Sequence, residues 1–187
     1  GVGWTLELGS IDPAPSPALR ARYFGQDGGI HEFVDPAVGV MQAPEDGSQV
    51  RIQRLAQGGY VVRFPDGTSH WLTHSYSRPD PMTGWGNGFD FTDVDGAAIE
   101  RRTARWGLER IRNKVGAEVA VVNWSTDEPW KMTSIRLVGS EQHITFHWID
   151  LTLAGQTASW DVLGSIDFPI LTSGASTLTA TMGYSPT

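Results

Sequence analysis

Histidines, aspartates and tryptophans are the residues of this chain with chemistry to offer. His70 and His74 stand four apart, and so do His143 and His147. On a helix that spacing suits a shared metal ion. Both pairs lie in alternating, strand-like sequence, where residues four apart are about 13 Å from each other at ~3.3 Å per residue. One ion cannot bridge that gap, so these are expected to be exposed or cross-strand histidines. Asp90, Asp93, Asp95 and Gly96 form an acidic, glycine-ended loop. Calcium takes several carboxylate and carbonyl oxygens from such loops. An EF-hand would need an oxygen ligand where Phe91 stands and a glutamate where Arg102 stands. The candidate metal ligands are therefore Asp90, Asp93 and Asp95 of a simple surface site. The plainer reading is a turn whose aspartates cap local amides.

The tryptophans raise a second possibility, because sugars stack on exposed indole faces. Trp4, Trp71, Trp106, Trp124, Trp130, Trp148 and Trp160 fall on or beside strand patterns and are expected to pack in cores. Trp85, inside Gly84-Trp85-Gly86-Asn87-Gly88, differs. With Asp90 it is the candidate ligand-binding residue. For nucleophilic catalysis there is no Gly-x-Ser-x-Gly elbow, and the serines sit in turn-like contexts. Nothing assembles an active site, so the expectation is a protein that is not an enzyme and carries no cofactor.

These residues must be held by something, and composition bounds what. The chain has 187 residues, 40% hydrophobic and 19% charged, as in an ordinary folded protein. A chain of this length buries roughly 70% of its unfolded surface without staples. There is no cysteine, so there are no disulfides and no thiolate chemistry. That suits an exported protein and equally a cytosolic one. The net charge of −7 disfavours nucleic acid as a partner. The basic residues Arg101, Arg102, Arg105, Arg110, Arg112 and Lys114 cluster in sequence and are expected on a solvated face. No apolar run is long enough for a membrane-spanning helix. The opening Gly1-Val2-Gly3-Trp4 lacks the charged start and apolar core of a signal peptide, which suggests a processed product or a piece of something longer.

The pattern along the chain is strand and turn almost throughout. Trp4, Leu6 and Leu8 alternate with polar residues. Asp12 to Pro17 holds three prolines and is expected to be a loop. Arg22 to Gly25 and Ile30 to Val34 flank Asp27-Gly28-Gly29, a hairpin signal. Val50 to Leu55, Tyr60 to Phe64 and Thr68 to Thr73 form a meander turned at Gln57-Gly58-Gly59 and Pro65-Asp66-Gly67. Residues 75 to 96 break the rhythm as a long loop or insertion. Ala97 to Arg105 fits a short helix or a strand.

From Trp106 an internal repeat appears. Trp106, Leu108, Ile111, Val122 and Trp124 recur as Trp130, Met132, Ile135, Phe146 and Trp148, each at an offset of 24. Gly116 and Gly139 fall in the turns, one residue out of step. Each unit is a strand, a glycine turn and a second strand. Beyond Trp148 the period fades, although Ser159 to Leu163, Ile166 to Leu171 and Leu178 to Met182 still read as strands.

These residues resemble a known family. Gly1-Val2-Gly3-Trp4-Thr5-Leu6 is similar to the Gly-x-Gly-Trp-Ser-Leu opening of Rhs/YD-repeat shells and of the Tc-toxin component that shares them. Tyr23-Phe24 followed by Gly28-Gly29-Ile30-His31-Glu32-Phe33 resembles the hairpin that follows it. Arg51 to Leu55, Gly58-Gly59-Tyr60-Val61-Val62 and Asp66-Gly67-Thr68-Ser69-His70-Trp71 look like the next unit, and the 24-residue pair resembles two degenerate YD repeats. The likeness covers about residues 1 to 150. Trp124-Ser125 and Trp148-Ile149 stand where a Tyr-Asp pair is usual, and the Gly-Arg pair is missing.

The resemblance implies an all-β chain of consecutive antiparallel hairpins, a segment of a β-shell. Residues 1–74 would be a hairpin and meander segment, 75–105 a long loop or insertion, 106–150 the two repeats, and 151–187 further strands. It implies a secreted or cell-surface, bacterial, toxin-associated structural protein that encloses or displays another domain. Partners would be further shell segments and an enclosed effector domain. The alternative is an extracellular adhesion or glycan-binding module that uses loop 75–96.

Overall fold

The computed structural model describes residues 8–13, 20–79, 102–152, 159–169 and 177–183. They are all β, with no helix among them. The strands are β1 (Ser10–Asp12), β2 (Ala21–Phe24), β3 (Ile30–Phe33), β4 (Met41–Gln42), β5 (Arg51–Arg54), β6 (Tyr60–Arg63), β7 (Ser69–Leu72) and β8 (His74–Pro79). After the undescribed residues 80–101 come β9 (Arg102–Gly107), β10 (Arg110–Arg112), β11 (Glu118–Trp124), β12 (Met132–Leu137), β13 (His143–Thr152), β14 (Ser159–Pro169) and β15 (Thr177–Thr181). They form a five-stranded sheet, β3-β2-β1-β9-β8, and a ten-stranded sheet, β15-β14-β13-β12-β11-β10-β7-β6-β5-β4. Every named strand pair is antiparallel.

The expected turns appear where glycine permits positive φ. Gly28 closes β2–β3 at φ 80° and Gly67 closes β6–β7 at φ 87°. The β5–β6 turn has a further reason for its glycines. A Cβ on Gly58 would stand 2.9 Å from the Trp106 ring, and one on Gly59 2.5 Å from the Leu72 carbonyl oxygen. Trp106, on the five-stranded sheet, can lie on this turn of the ten-stranded sheet because Gly58 and Gly59 have no side chains.

Four local readings change. Residues 75–79, expected to begin the long loop or insertion, belong to β8 and pair with β9. Asp12, expected in a loop, ends β1, which pairs with both β2 and β9. Of the stretch Ala97 to Arg105, expected as helix or strand, residues 102–105 lie in strand β9, paired along its length with β8, and 97–101 lie outside the described residues. Helix propensity there is weaker than the pairing and the packing of Trp106. The two-residue β4 had no periodic signal and exists by pairing with β5.

The ten-stranded sheet is not continuous in sequence. After β7 the chain leaves at Thr73, contributes β8 and β9 to the other sheet, and returns at β10. Strand β10 then pairs directly with β7. The Thr73 hydroxyl donates to the Glu109 carboxylate, tying the exit to the return. Among the described residues beyond 151, β14 and β15 extend the same sheet.

Two apolar clusters follow. Ile11, Ala21, Tyr23 and Phe33 of the five-stranded sheet pack on Ile52, Tyr60, Val62 and Leu72 of the larger one. Ile11, Phe33, Ile52 and Leu72 are fully buried. Each such side chain contributes roughly 1.5–3 kcal/mol. The second cluster runs along β10–β15 through Leu108, Val122, Met132, Phe146, Leu163 and Ile166.

Candidate functional site

The candidate binding residues Trp85 and Asp90, and the candidate metal ligands Asp90, Asp93 and Asp95, lie outside the described residues. Among the described residues no three His, Cys, Asp or Glu side chains are grouped to hold a metal ion.

The histidines separate. His70 and His74 share neither a strand nor a sheet, because the crossing at Thr73 lies between them. His70, expected to be exposed or cross-strand, is cross-strand and only 4% exposed. Its register neighbours are Val62 and Ile111, which places it on the core face. Its ring packs 4.6 Å from that of Phe64, and Nδ1 is buried without a hydrogen-bond partner. Burial pushes its pKa down, against a smaller opposing pull from Asp66. His143 and His147 do share β13. His147 Nε2 meets Asp167 Oδ2 at 2.8 Å, and the Thr179 hydroxyl donates to the other Asp167 oxygen at 2.6 Å. The Thr179 bond and then His147 hold the Asp167 carboxyl below the usual range.

The duplicated unit carries the most repeated geometry. The Trp124 indole donates to the Leu108 carbonyl at 3.0 Å. Its counterpart Trp148 donates to the Met132 carbonyl at 2.7 Å. Ile111 faces Ala120 and Ile135 faces Ile144, the same register 24 residues on. A bulge falls between Asn123 and Trp124, and again between His147 and Trp148. The Gly116 and Gly139 turns both have φ 82°. The extra residue lies on the partner strand each time, Thr133 on β12 and Gly164 on β14. In both units the indole stands on the core face by strand alternation and reaches back over the start of its own hairpin.

What meets the indole differs. Trp124 is stacked on His74 at 4.6 Å and on Tyr76 at 5.3 Å, both from β8 of the other sheet. His74 is in turn anchored to the Pro129 carbonyl. These rings clasp the two sheets together. Trp148 meets the Trp130 ring edge-on at 5.6 Å. Beside it Lys131, 9% exposed, pairs with Glu128 and, at 2.7 Å, with Asp161. Burial alone would lower the Lys131 pKa; hydrogen bonds to Asp161 and Glu128 outweigh it and raise the value. Asp150 sits directly opposite Asp161. A hydrogen bond to Asp161, then its charge, raises the Asp150 pKa.

A second charged region lies on the far face of the ten-stranded sheet. Arg51 is directly opposite Arg63, Arg63 is opposite Ser69, and Ser69 is opposite Arg112. Two residues along, Trp71 faces Arg110, Arg110 faces Val121, Val121 faces Arg136, and Arg136 faces His143. Residues opposite one another share a face, as do residues two apart on a strand. Five arginines therefore form one row. The predicted solvated basic stretch supplies only Arg110 and Arg112. Arg105 turns to the other sheet, where it bonds Asp12 at 2.9 Å. Arg51, Arg63 and Arg136 come from other hairpins and meet the row through register alone.

No family model, no curated protein and no solved structure matches the chain.

Proposed function

We propose that this chain is a non-catalytic structural segment of a secreted β-shell, a wall that encloses or displays a toxin or adhesion domain. The observation that carries the reading is the ten-stranded antiparallel sheet, part of which is built by a duplicated hairpin with a duplicated bulge. Nine strand spacings of ~4.8 Å make a wall about 43 Å across. Repetition of one hairpin is how a chain extends such a wall indefinitely. Strands β4 and β15 stand at its two edges and call for further strands as partners. The resemblance of residues 1 to 150 to Rhs/YD-repeat proteins supports the same role, with further shell segments as neighbours.

The test is the denatured mass of the native polypeptide that contains this sequence, together with protease protection of any companion domain. A mass far above 20.4 kDa with a protected companion domain is expected. A mass near 20.4 kDa, or a companion cut as readily as its isolated form, would overturn enclosure.

A further inference from the structure

We propose that the arginine row on the far face of the ten-stranded sheet binds a linear, multiply anionic polysaccharide bearing sulfate or carboxylate groups. Arg51, Arg63, Arg110 and Arg136 are exposed, and Arg112 is half-buried. The carboxylates paired with the row are Glu118, 3.3 Å from Arg110, and Glu109, 3.5 Å from it. Among the described residues Arg51, Arg63 and Arg136 make no ion pair. The row crosses five strand spacings, from β5 to β12, or about 24 Å at ~4.8 Å each.

Two features set the row apart from ordinary solvated arginines. The first is that like charges directly opposite on neighbouring strands destabilise a sheet. Arg51 and Arg63 occupy such a pair, in a chain with 21 acidic residues that could have balanced them. The second is segregation. No lysine or arginine follows Arg136 in the chain, while Glu141, Asp150, Asp161 and Asp167 do. One end of the sheet is therefore acidic and the middle of its far face basic, despite a net charge of −7.

The chemistry of the row selects among anions. Guanidinium groups bind sulfate and carboxylate through paired N–H donors. Single-stranded nucleic acid also needs open rings on which bases stack. Among the described residues the tryptophan on this face, Trp71, is covered by the Arg112 guanidinium 4.1 Å above its ring. A sugar chain presenting anions at intervals needs no such platform. This proposal does not depend on the shell reading.

Binding of heparin to the full chain, measured by calorimetry at about 0.15 M salt, tests the proposal, with desulfated heparin, dextran and a single-stranded oligonucleotide as comparison probes. Heparin is expected to bind, more weakly as salt rises, and dextran not at all. The Arg51→Gln/Arg63→Gln/Arg136→Gln variant should bind at least about tenfold more weakly, the loss expected when several charge-assisted hydrogen bonds go. Arg63→Gln should bind less tightly while melting no lower than the unaltered chain, because it relieves the Arg51–Arg63 repulsion. Arg20→Gln, which removes a charge paired with Glu45 elsewhere, should bind as the unaltered chain does. Absence of heparin binding, an equal loss in Arg20→Gln, or equal affinity for the oligonucleotide would overturn the proposal. So would a doubled mass by light scattering without ligand that reverts in the triple variant, since a second copy's acidic end would then occupy the row.

Discussion

In the first 24-residue unit, Gly107 lies beneath the Trp124 indole, and two rings from the other sheet complete the stack. In the second, the equivalent position is Lys131, and three carboxylates gather where the first unit has aromatic rings. Both units keep the same bulge and the same indole-to-carbonyl hydrogen bond. The repeat therefore specifies the hairpin and its bulge, while the residue at position 107 or 131 decides what the hairpin is joined to. Glycine admits a second sheet: a Cβ on Gly107 would stand 2.8 Å from Trp124 Cζ2 and 2.9 Å from Tyr76 Cε1. Lysine brings a charge that must be answered locally, and Asp161 and Glu128 answer it.

The largest effect expected from this comparison is at the indoles. Trp124→Ala should cost about 3–5 kcal/mol, as large-to-small core changes do. Trp148→Ala should cost less, because Trp148 holds no ring stack between sheets. Denaturant unfolding of both variants measures the difference, and equal losses would show that the clasp adds nothing to the repeat. Next comes the residue beneath. Gly107→Val should cost about 2–3 kcal/mol from overpacking against Trp124 and Tyr76. Lys131→Met should cost about 1–2 kcal/mol, well below a fully buried ion pair, since Glu128 and Asp161 both reach solvent. If Gly107→Val were neutral, the close approach of the sheets would not be what glycine is there to allow.

The smallest effect is electrostatic and separates the units by pH. Asp150 has a folded-state pKa above its unfolded value. It therefore favours folding below that folded value and loses the contribution as pH rises through it. Asp150→Asn should raise the melting temperature at pH 7 and leave it unchanged near pH 3, since the unaltered chain is protonated there as well. The first unit has Thr126 at the matching position and no such dependence. His70 works in the opposite sense. Its folded pKa is lowered by burial, so its contribution is complete above the unfolded value near 6.5 and is lost as pH falls below it. A melting temperature that drops from pH 7 to pH 5, less so in His70→Gln, is the expected result.

Much of the fold was legible because its signals are local. Gly58-Gly59, Asp66-Gly67 and Asp27-Gly28-Gly29 mark turns by backbone freedom, and Ile144, Phe146 and Trp148 mark a strand by alternation. The offset of 24 predicted two hairpins, and the shared register and shared bulge give that offset a physical meaning. The candidate sites were less legible. Trp85 and the aspartates at 90, 93 and 95 drew notice through local composition. The arginine row has no local signature, since its members come from β5, β6, β10 and β12. The charged cluster at Lys131 was hidden in the same way, with Asp150 and Asp161 on separate strands.

The amino-acid sequence by itself determined the β class, most of the turns and the duplicated hairpin, because period-two alternation and glycine φ preferences act within a few residues. Only the tertiary structure decided that Thr73 is a crossing between sheets, that His70 is core, and that β10 pairs with β7 across residues 73–109. Pairing partners of distant strands are chosen by which apolar faces can close on one another, here Trp106 on the Gly58-Gly59 turn and Trp124 on His74 and Tyr76. That choice is a property of the assembled chain, and so is every cluster of charge it brings together.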